Sequence, residues 1–231
     1  MNTISVVIPA YQAERFISEA LESVAAQTVN IEQIVVVDDG STDATAQDAE
    51  RWSQTARIQT TVIRQTNSGA GAARRAGLLL TDAEMICFLD ADDRLVPHAL
   101  ADLRTALEAA PVALIASGAM RPFVDIPAGG ETRSLGVVSS EPALLSSASL
   151  IRRSAFSEIG HFEDGNFSFA SWVARIVERG AAAATTINLV VAERRLHGAN
   201  TSLTDRNREE HYHRIIRESL RRRASQGEGS R

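Results

Sequence analysis

MICFLDADDRL, residues 85–95, runs from five apolar side chains, Met85 to Leu89, straight into Asp90, Asp92 and Asp93. A run of that length reads as a buried strand, and three like charges cannot remain inside a strand without something to neutralise them. The acids therefore belong at its carboxyl end. In an open α/β sheet that end faces the ligand crevice, where closely spaced carboxylates suit a hard divalent cation that shares its shell with phosphates. The competing reading is that Asp92 or Asp93 caps a helix opened by Pro97 while the other acids are solvated. The motif alone does not separate the two.

Upstream, the same alternation of apolar run and polar turn repeats. Ile4 to Ile8 reads as a strand that leaves the sheet at Pro9-Ala10-Tyr11, because proline cannot donate to a ladder. Phe16, Ile17, Ala20, Leu21 and Val24 then fall at helical spacing. Ile31 to Val37 is the second strand, followed by the turn residues Asp38-Asp39-Gly40-Ser41 and a helix from Ala44 to Trp52. Ile58 to Arg64 is a third, more exposed strand, and Asn67-Ser68-Gly69-Ala70-Gly71 opens a helix over 72–80. Strands alternating with helices predict an α/β fold with a mostly parallel, Rossmann-like sheet flanked by helices.

Downstream the pattern weakens. Ala99 to Ala109 reads as a helix and Val112 to Ser117 as a strand, whereas Pro122 to Ser140 carries no period. Leu144 to Leu150 predicts a short strand entering a helix, Trp172 to Arg179 a helix stopped by Gly180, and Thr185 to Val191 a β-branched strand. The expected organisation is a ligand-binding half over 1–118, a smaller mixed region over 119–205 and an amphipathic C-terminal helix with a frayed tail over 206–231. That helix packs on its own domain or serves an oligomer or a membrane surface.

A formal charge of −5 gives no reason to expect nucleic acid as a partner, although Arg221, Arg222 and Arg223 cluster locally. The single cysteine, Cys87, sits inside the apolar run, so an internal disulfide is excluded and a reducing compartment fits. With no leader-like start and no apolar run of membrane-spanning length, the expected location is cytoplasmic.

If the sheet is parallel, four strand ends converge: Pro9-Ala10-Tyr11, Asp38-Asp39, the glycine loop with Arg74 just inside its helix, and the acid loop. An aromatic ring, a carboxylate, a cation near a helix start and a metal site are what a nucleoside diphosphate requires. The segments SVVIPAYQ (5–12), VVVDDGSTD (35–43), NSGAGAARRAG (67–77) and FLDADD (88–93) resemble, in order and spacing, the inverting family 2 glycosyltransferases of the GT-A fold. The resemblance implies a nucleoside-diphosphate-sugar donor, with a uridine donor favoured. It places Pro9, Ala10 and Tyr11 at the base pocket, Asp39 on the nucleobase with Asp38 beside it, and Arg74 near base or diphosphate. It further places Asp90 near the ribose and the metal, and Asp92 with Asp93 on Mg²⁺ or Mn²⁺. RRLHGAN (194–200) resembles the element that closes over the diphosphate, which gives His197 a nucleotide-side role.

The resemblance departs where inverting transfer needs a base to take the acceptor's proton. Relatives carry an acidic pair just before the tryptophan of a W-x-x-R helix, whereas Trp172 and Arg175 are preceded here by Ser168, Phe169, Ala170 and Ser171. Asp164, next to Glu163 in a G-x-F-x-x turn, is the candidate catalytic base if the loop brings it into the crevice. The alternative is a donor-binding protein with weak or no transfer, acting as partner or regulator. A nucleotidyltransferase would need a basic glycine-rich loop after the first strand, which is absent. The acceptor, whether glycan, peptide, lipid-linked or small molecule, is not specified by these motifs.

Overall fold

The computed structural model describes residues 2–125, 132–134, 145–164 and 168–197. The expected C-terminal helix over 206–231 lies outside these residues, as do parts of the 119–205 region. The first half alternates as expected: β1 (Ile4–Ala10), α1 (Ile17–Ala25), β2 (Gln33–Asp38), α2 (Thr45–Ser53), β3 (Gln59–Arg64), α3 (Ala70–Leu78) and β4 (Met85–Phe88). A two-residue strand β5 (Arg94–Leu95) and α4 (Ala99–Ala109) follow. The rest comprises β6 (Ile115–Asp125), β7 (Thr132–Ser134), β8 (Ser149–Arg152), α5 (Ser154–Ile159), α6 (Ser168–Val177) and β9 (Ala184–Arg195).

The described strands form one sheet in the order β3-β2-β1-β4-β8-β6-β9-β5, with β7 added to β6. β1, β2, β3 and β4 pair in parallel, whereas β8 is antiparallel to both β4 and β6, and β5 is antiparallel to β9. The apolar runs are continuous because both faces of the central strands are covered. Val6, Ile8, Ile34, Val36, Met85 and Cys87 point to the face packed by α1 and α4. Their alternates Val7, Val35, Val37, Ile86 and Phe88 point to the face of α3, α5 and α6. On that second face Phe88, Phe156, Phe162, Phe169 and Trp172 form a ring cluster, with Phe156 and Trp172 stacked 4.8 Å apart. Full burial pushes the Cys87 thiol up to about 12.

Several expectations about strand limits need correction, among them the strand expected over 144–150, which begins only at Ser149 and runs to Arg152. β1 does not leave the sheet at Pro9: it continues to Ala10, which pairs with Asp38. Leu89 donates to Val7 O from the β4 side and Asp39 to Ala10 O from the β2 side, so Pro9, two residues after Val7, presents its ring nitrogen toward β4, which has already ended. Proline costs no ladder bond there. Val112 is 72% exposed in a turn, and the strand expected at 112 begins at Ile115 instead. That strand then runs through Pro122, where a period was missing, because a bulge around Gly118 breaks the two-residue alternation and β9 supplies a partner as far as Phe123. β9 likewise runs four residues past its expected end, to Arg195, and that extension reaches the acid loop.

Candidate nucleotide-binding site

The carboxyl ends of β1, β2 and β4, the start of α3 and the end of β9 surround an open crevice of about 830 Å³. Its floor begins with Pro9, Ala10 and the 55% exposed ring of Tyr11. The loop after β1 is laced to the loop after β2. Gln12, at φ 52°, donates its N–H to Ser41 Oγ at 2.9 Å, and its Oε1 accepts the Thr42 N–H at 2.9 Å. Ala13 N–H reaches Thr45 Oγ1 at 2.8 Å.

Of the two acids ending β2, only Asp39 lines the crevice. Its Oδ1 accepts from Gln65 Nε2 at 2.7 Å and Ser68 N at 2.9 Å, and its Oδ2 from Gly69 N at 2.8 Å. The glycine loop is thus clipped to β2 by one carboxylate, with Gly69 at φ 87° making the turn into α3. Asp38 is buried and accepts the Ser41 N–H at 3.1 Å, a turn-holding role outside the lining.

Arg74, 4% exposed, points from α3 into the crevice wall and donates to Asp90 Oδ1 at 2.7 Å. Its buried Nε has no hydrogen-bond partner among the described residues. Asp90 is held from the other side by Ser146 Oγ at 3.1 Å, and its N–H donates to Ser147 Oγ at 3.1 Å. Asp93 is turned inward, with Ser147 Oγ at 2.7 Å from Oδ2 and the Arg195 N–H at 3.3 Å from Oδ1. Asp92 lies 3.1 Å from His197 Nε2. Burial and the Asp90 charge push the Asp92 carboxyl up, against the lowering effect of His197. Burial, then Asp92 and Asp90, push Asp93 well up. Acids so crowded favour a nearby cation. Among the described residues no three His, Cys, Asp or Glu side chains form a closed metal cage. An ion that takes several ligands from water and substrate phosphates needs no such cage, and an oxygen and a nitrogen donor at the crevice edge fit it.

The candidate base lies elsewhere. Asp164 is 70% exposed, pairs with Arg75 at 2.8 Å and is not among the lining residues. The lining carboxylates among the described residues are Asp39, Asp90, Asp92 and Asp93. Ser168 occupies the start of α6, with its Oγ 3.5 Å from Arg74 Nη1. Trp172 is a core residue whose Nε1 donates to Gly160 O at 2.6 Å.

Arg194 lines the crevice within the 194–200 element expected to close over the diphosphate, whereas Arg15 and Phe16, which also line it, and Ser146 with Ser147, which hold two of the acids, are not among the expected site residues. The doubled arginine before His197 was the available signal for Arg194; the serines carry none, since their partners lie more than fifty residues away.

Among the described residues no helix is long and apolar enough to cross a membrane. Solved structures that share the fold include the following two. The mannosyltransferase PcManGT of Pyrobaculum calidifontis, in complex with GDP-Man and Mn²⁺, superposes with a TM-score of 0.75 at 21% identity over 95% of this chain and 64% of that one. Staphylococcus aureus TarS 1–349 with UDP-GlcNAc gives 0.74 at 20% identity over 94% and 65%. In sequence, the chain is 42% identical over 97 residues to the uncharacterized glycosyltransferase alr2836 of Nostoc sp., a match that covers 42% of this chain and 30% of that relative. The chain thus matches less than a third of that curated relative's length. The family model for Glycosyl transferase family 2 matches residues 5–185, from β1 to the start of β9, and so covers the ends of β1, β2 and β4 and the start of α3 at the crevice, but not the end of β9. With a GT-A-type sheet carrying that match over most of its length, the chain belongs to glycosyl transferase family 2.

Proposed function

We propose that this chain transfers a sugar, with inversion, from a nucleoside-diphosphate sugar bound in the crevice to an acceptor hydroxyl. The observation that carries the reading is the convergence on one crevice of Tyr11, Asp39, Arg74 and the Asp92–His197 pair. Tyr11 offers an exposed ring for the base. Asp39 retains acceptor capacity beyond its three loop bonds, and that capacity is directed at the base. Arg74 and Arg194 supply positive charge for the diphosphate, and Asp90 serves the ribose side. Asp92 and His197 would hold Mg²⁺ or Mn²⁺, with Asp93 behind them. When bound, the ion offsets charge that develops on the leaving diphosphate.

A second reading has a specific observation behind it. In this reading the lining acids Asp39, Asp90, Asp92 and Asp93 all serve the donor side, and α6 starts with serine where a base would stand. Asp164 can act as base only by leaving Arg75 and entering the crevice. Without that movement the chain binds donor and transfers slowly.

Release of nucleoside diphosphate from UDP-GlcNAc and GDP-mannose, with Mn²⁺ and a set of acceptors, tests both readings. Turnover that Asp164→Asn lowers by the roughly hundredfold or more that base catalysis supplies assigns the base to Asp164. Donor binding with slow release, unchanged in Asp164→Asn and raised by Ser168→Glu, supports the vacant-base reading. Binding of neither donor refutes the proposal.

A further inference from the structure

The Asp92–His197 pair rests on a charged lattice beneath the crevice. Arg195, 4% exposed at the end of β9, gives the acid loop its backbone N–H at Asp93 Oδ1 and its Nε–H at the Asp92 carbonyl, both at 3.3 Å. Its guanidinium lies between the rings of Phe16 and Phe123, at 5.0 and 4.6 Å. A terminal nitrogen pairs with Glu19 of α1. The other Glu19 oxygen takes Arg94, the residue directly after Asp93, which in turn reaches Glu193 at 2.5 Å. One helix carboxylate therefore gathers the arginine that follows the acid loop and the arginine two residues before His197. Phe16, the N-cap residue of α1, stacks on Arg195 and also carries the His197 ring at 4.8 Å.

A buried guanidinium is held in place by its counter-charge, and loss of one partner leaves the other uncompensated. Were Glu19 neutral, Arg195 would lose an anion while keeping its contacts to Asp92 and Asp93, the acids that a cation needs.

Resting on the donor reading above, we infer that Glu19, which lies outside the crevice lining, is a positioning residue for the Asp92–His197 pair. It fixes Arg195 and Arg94, and through them the spacing of the acid loop from the end of β9. The metal-dependent part of nucleotide binding is therefore set from α1.

The test is titration calorimetry of UDP and GDP, each with Mn²⁺ and with chelator, on the wild type and Glu19→Gln, with Mn²⁺ binding followed separately by electron paramagnetic resonance. Groups that orient metal ligands are commonly worth about tenfold or more in metal affinity. Glu19→Gln is expected to cut the Mn²⁺-dependent gain in nucleotide affinity, and Mn²⁺ affinity itself, by about that factor, leaving the metal-free nucleotide affinity unchanged. An unchanged gain, or equal losses with and without metal, overturns the inference and leaves Glu19 a purely structural residue. A wild type with no metal-dependent gain overturns the donor reading first and this inference with it. Should Glu19→Gln fail to fold, Arg195→Lys, which keeps the charge but not the planar fork, makes the same comparison with the same expected direction.

Discussion

The two halves of the sheet are built on opposite principles. From β1 to β4 the strands run in parallel, every helix returns the chain to the same edge, and the strand-end loops are tied to one another by side-chain-to-backbone bonds such as Gln12 to Thr42 and Asp39 to Gly69. From β6 to β9 the pairing is mixed, one strand is bulged, and the packing rests on an aromatic cluster with Trp172 at its centre. The first half is specified by loops tied together around the crevice, the second by a core that supports them. On the proposed reading, donor binding and stability should separate by half except at the end of β9, where Arg194 and His197 also border the crevice.

The largest expected effect lies in the second half. Trp172→Ala removes a fully buried ring and the hydrogen bond to Gly160 O, and should cost about 3–5 kcal/mol of unfolding free energy in a denaturant titration. A loss below about 1 kcal/mol would mean that the cluster is not a core, since surface substitutions fall in that range.

An intermediate effect is expected at the seam. A Cβ on Gly71 would stand 2.0 Å from the Glu163 carbonyl oxygen and 2.8 Å from Ser168 Cβ, so α3 and the start of α6 approach as closely as they do only because this residue is glycine. Gly71→Ala should cost about 1–3 kcal/mol by overpacking and should also weaken nucleotide binding, because Arg74 lies one turn along α3. Weaker binding at wild-type stability would show that the halves are coupled only through the ligand.

The smallest effect concerns the lattice under the crevice. Burial pushes the Glu193 carboxyl up, but the hydrogen bonds and charges of Arg121 and Arg94 outweigh it and hold it below its ordinary value of 4.5. A depressed folded-state value means that the carboxylate stabilises the fold above pH 4.5, and that this contribution is lost as the pH falls from there through the folded value. Glu193→Gln should accordingly flatten the acid limb of a stability–pH profile while leaving its shape above pH 6 unchanged, whereas an unaltered acid limb would remove Glu193 from the account.

How far the sequence could be read follows the same division. Apolar runs bounded by turn residues disclosed the parallel half, because burial on both faces leaves a continuous signal. The acids at strand ends disclosed the crevice, because charge cannot stay inside. What stayed hidden depends on direction rather than on residue type. Asp38 and Asp39 look alike in sequence, yet Asp38 is the last residue of β2 and holds the turn at Ser41, whereas Asp39 follows the strand and turns into the crevice. Pro9 reads as a strand end until the neighbouring strand is known to stop first. Glu19 and Arg195 look like ordinary charges on a helix and a strand, 176 positions apart, until the sheet brings them together. For the base, the sequence showed serines at the start of α6 and the structure adds that Asp164 pairs outward with Arg75.

The central claim is that the crevice binds a nucleoside diphosphate through a divalent cation at Asp92. Calorimetry of the wild-type chain with UDP and with GDP, in Mn²⁺ and again after chelation, tests it most directly. The account predicts that affinity for at least one of them falls tenfold or more on chelation, about 1.4 kcal/mol, and that Asp92→Asn reproduces the chelated value whether or not metal is present. Equal affinity with and without metal, or an Asp92→Asn chain that keeps the full metal-dependent gain, would contradict it.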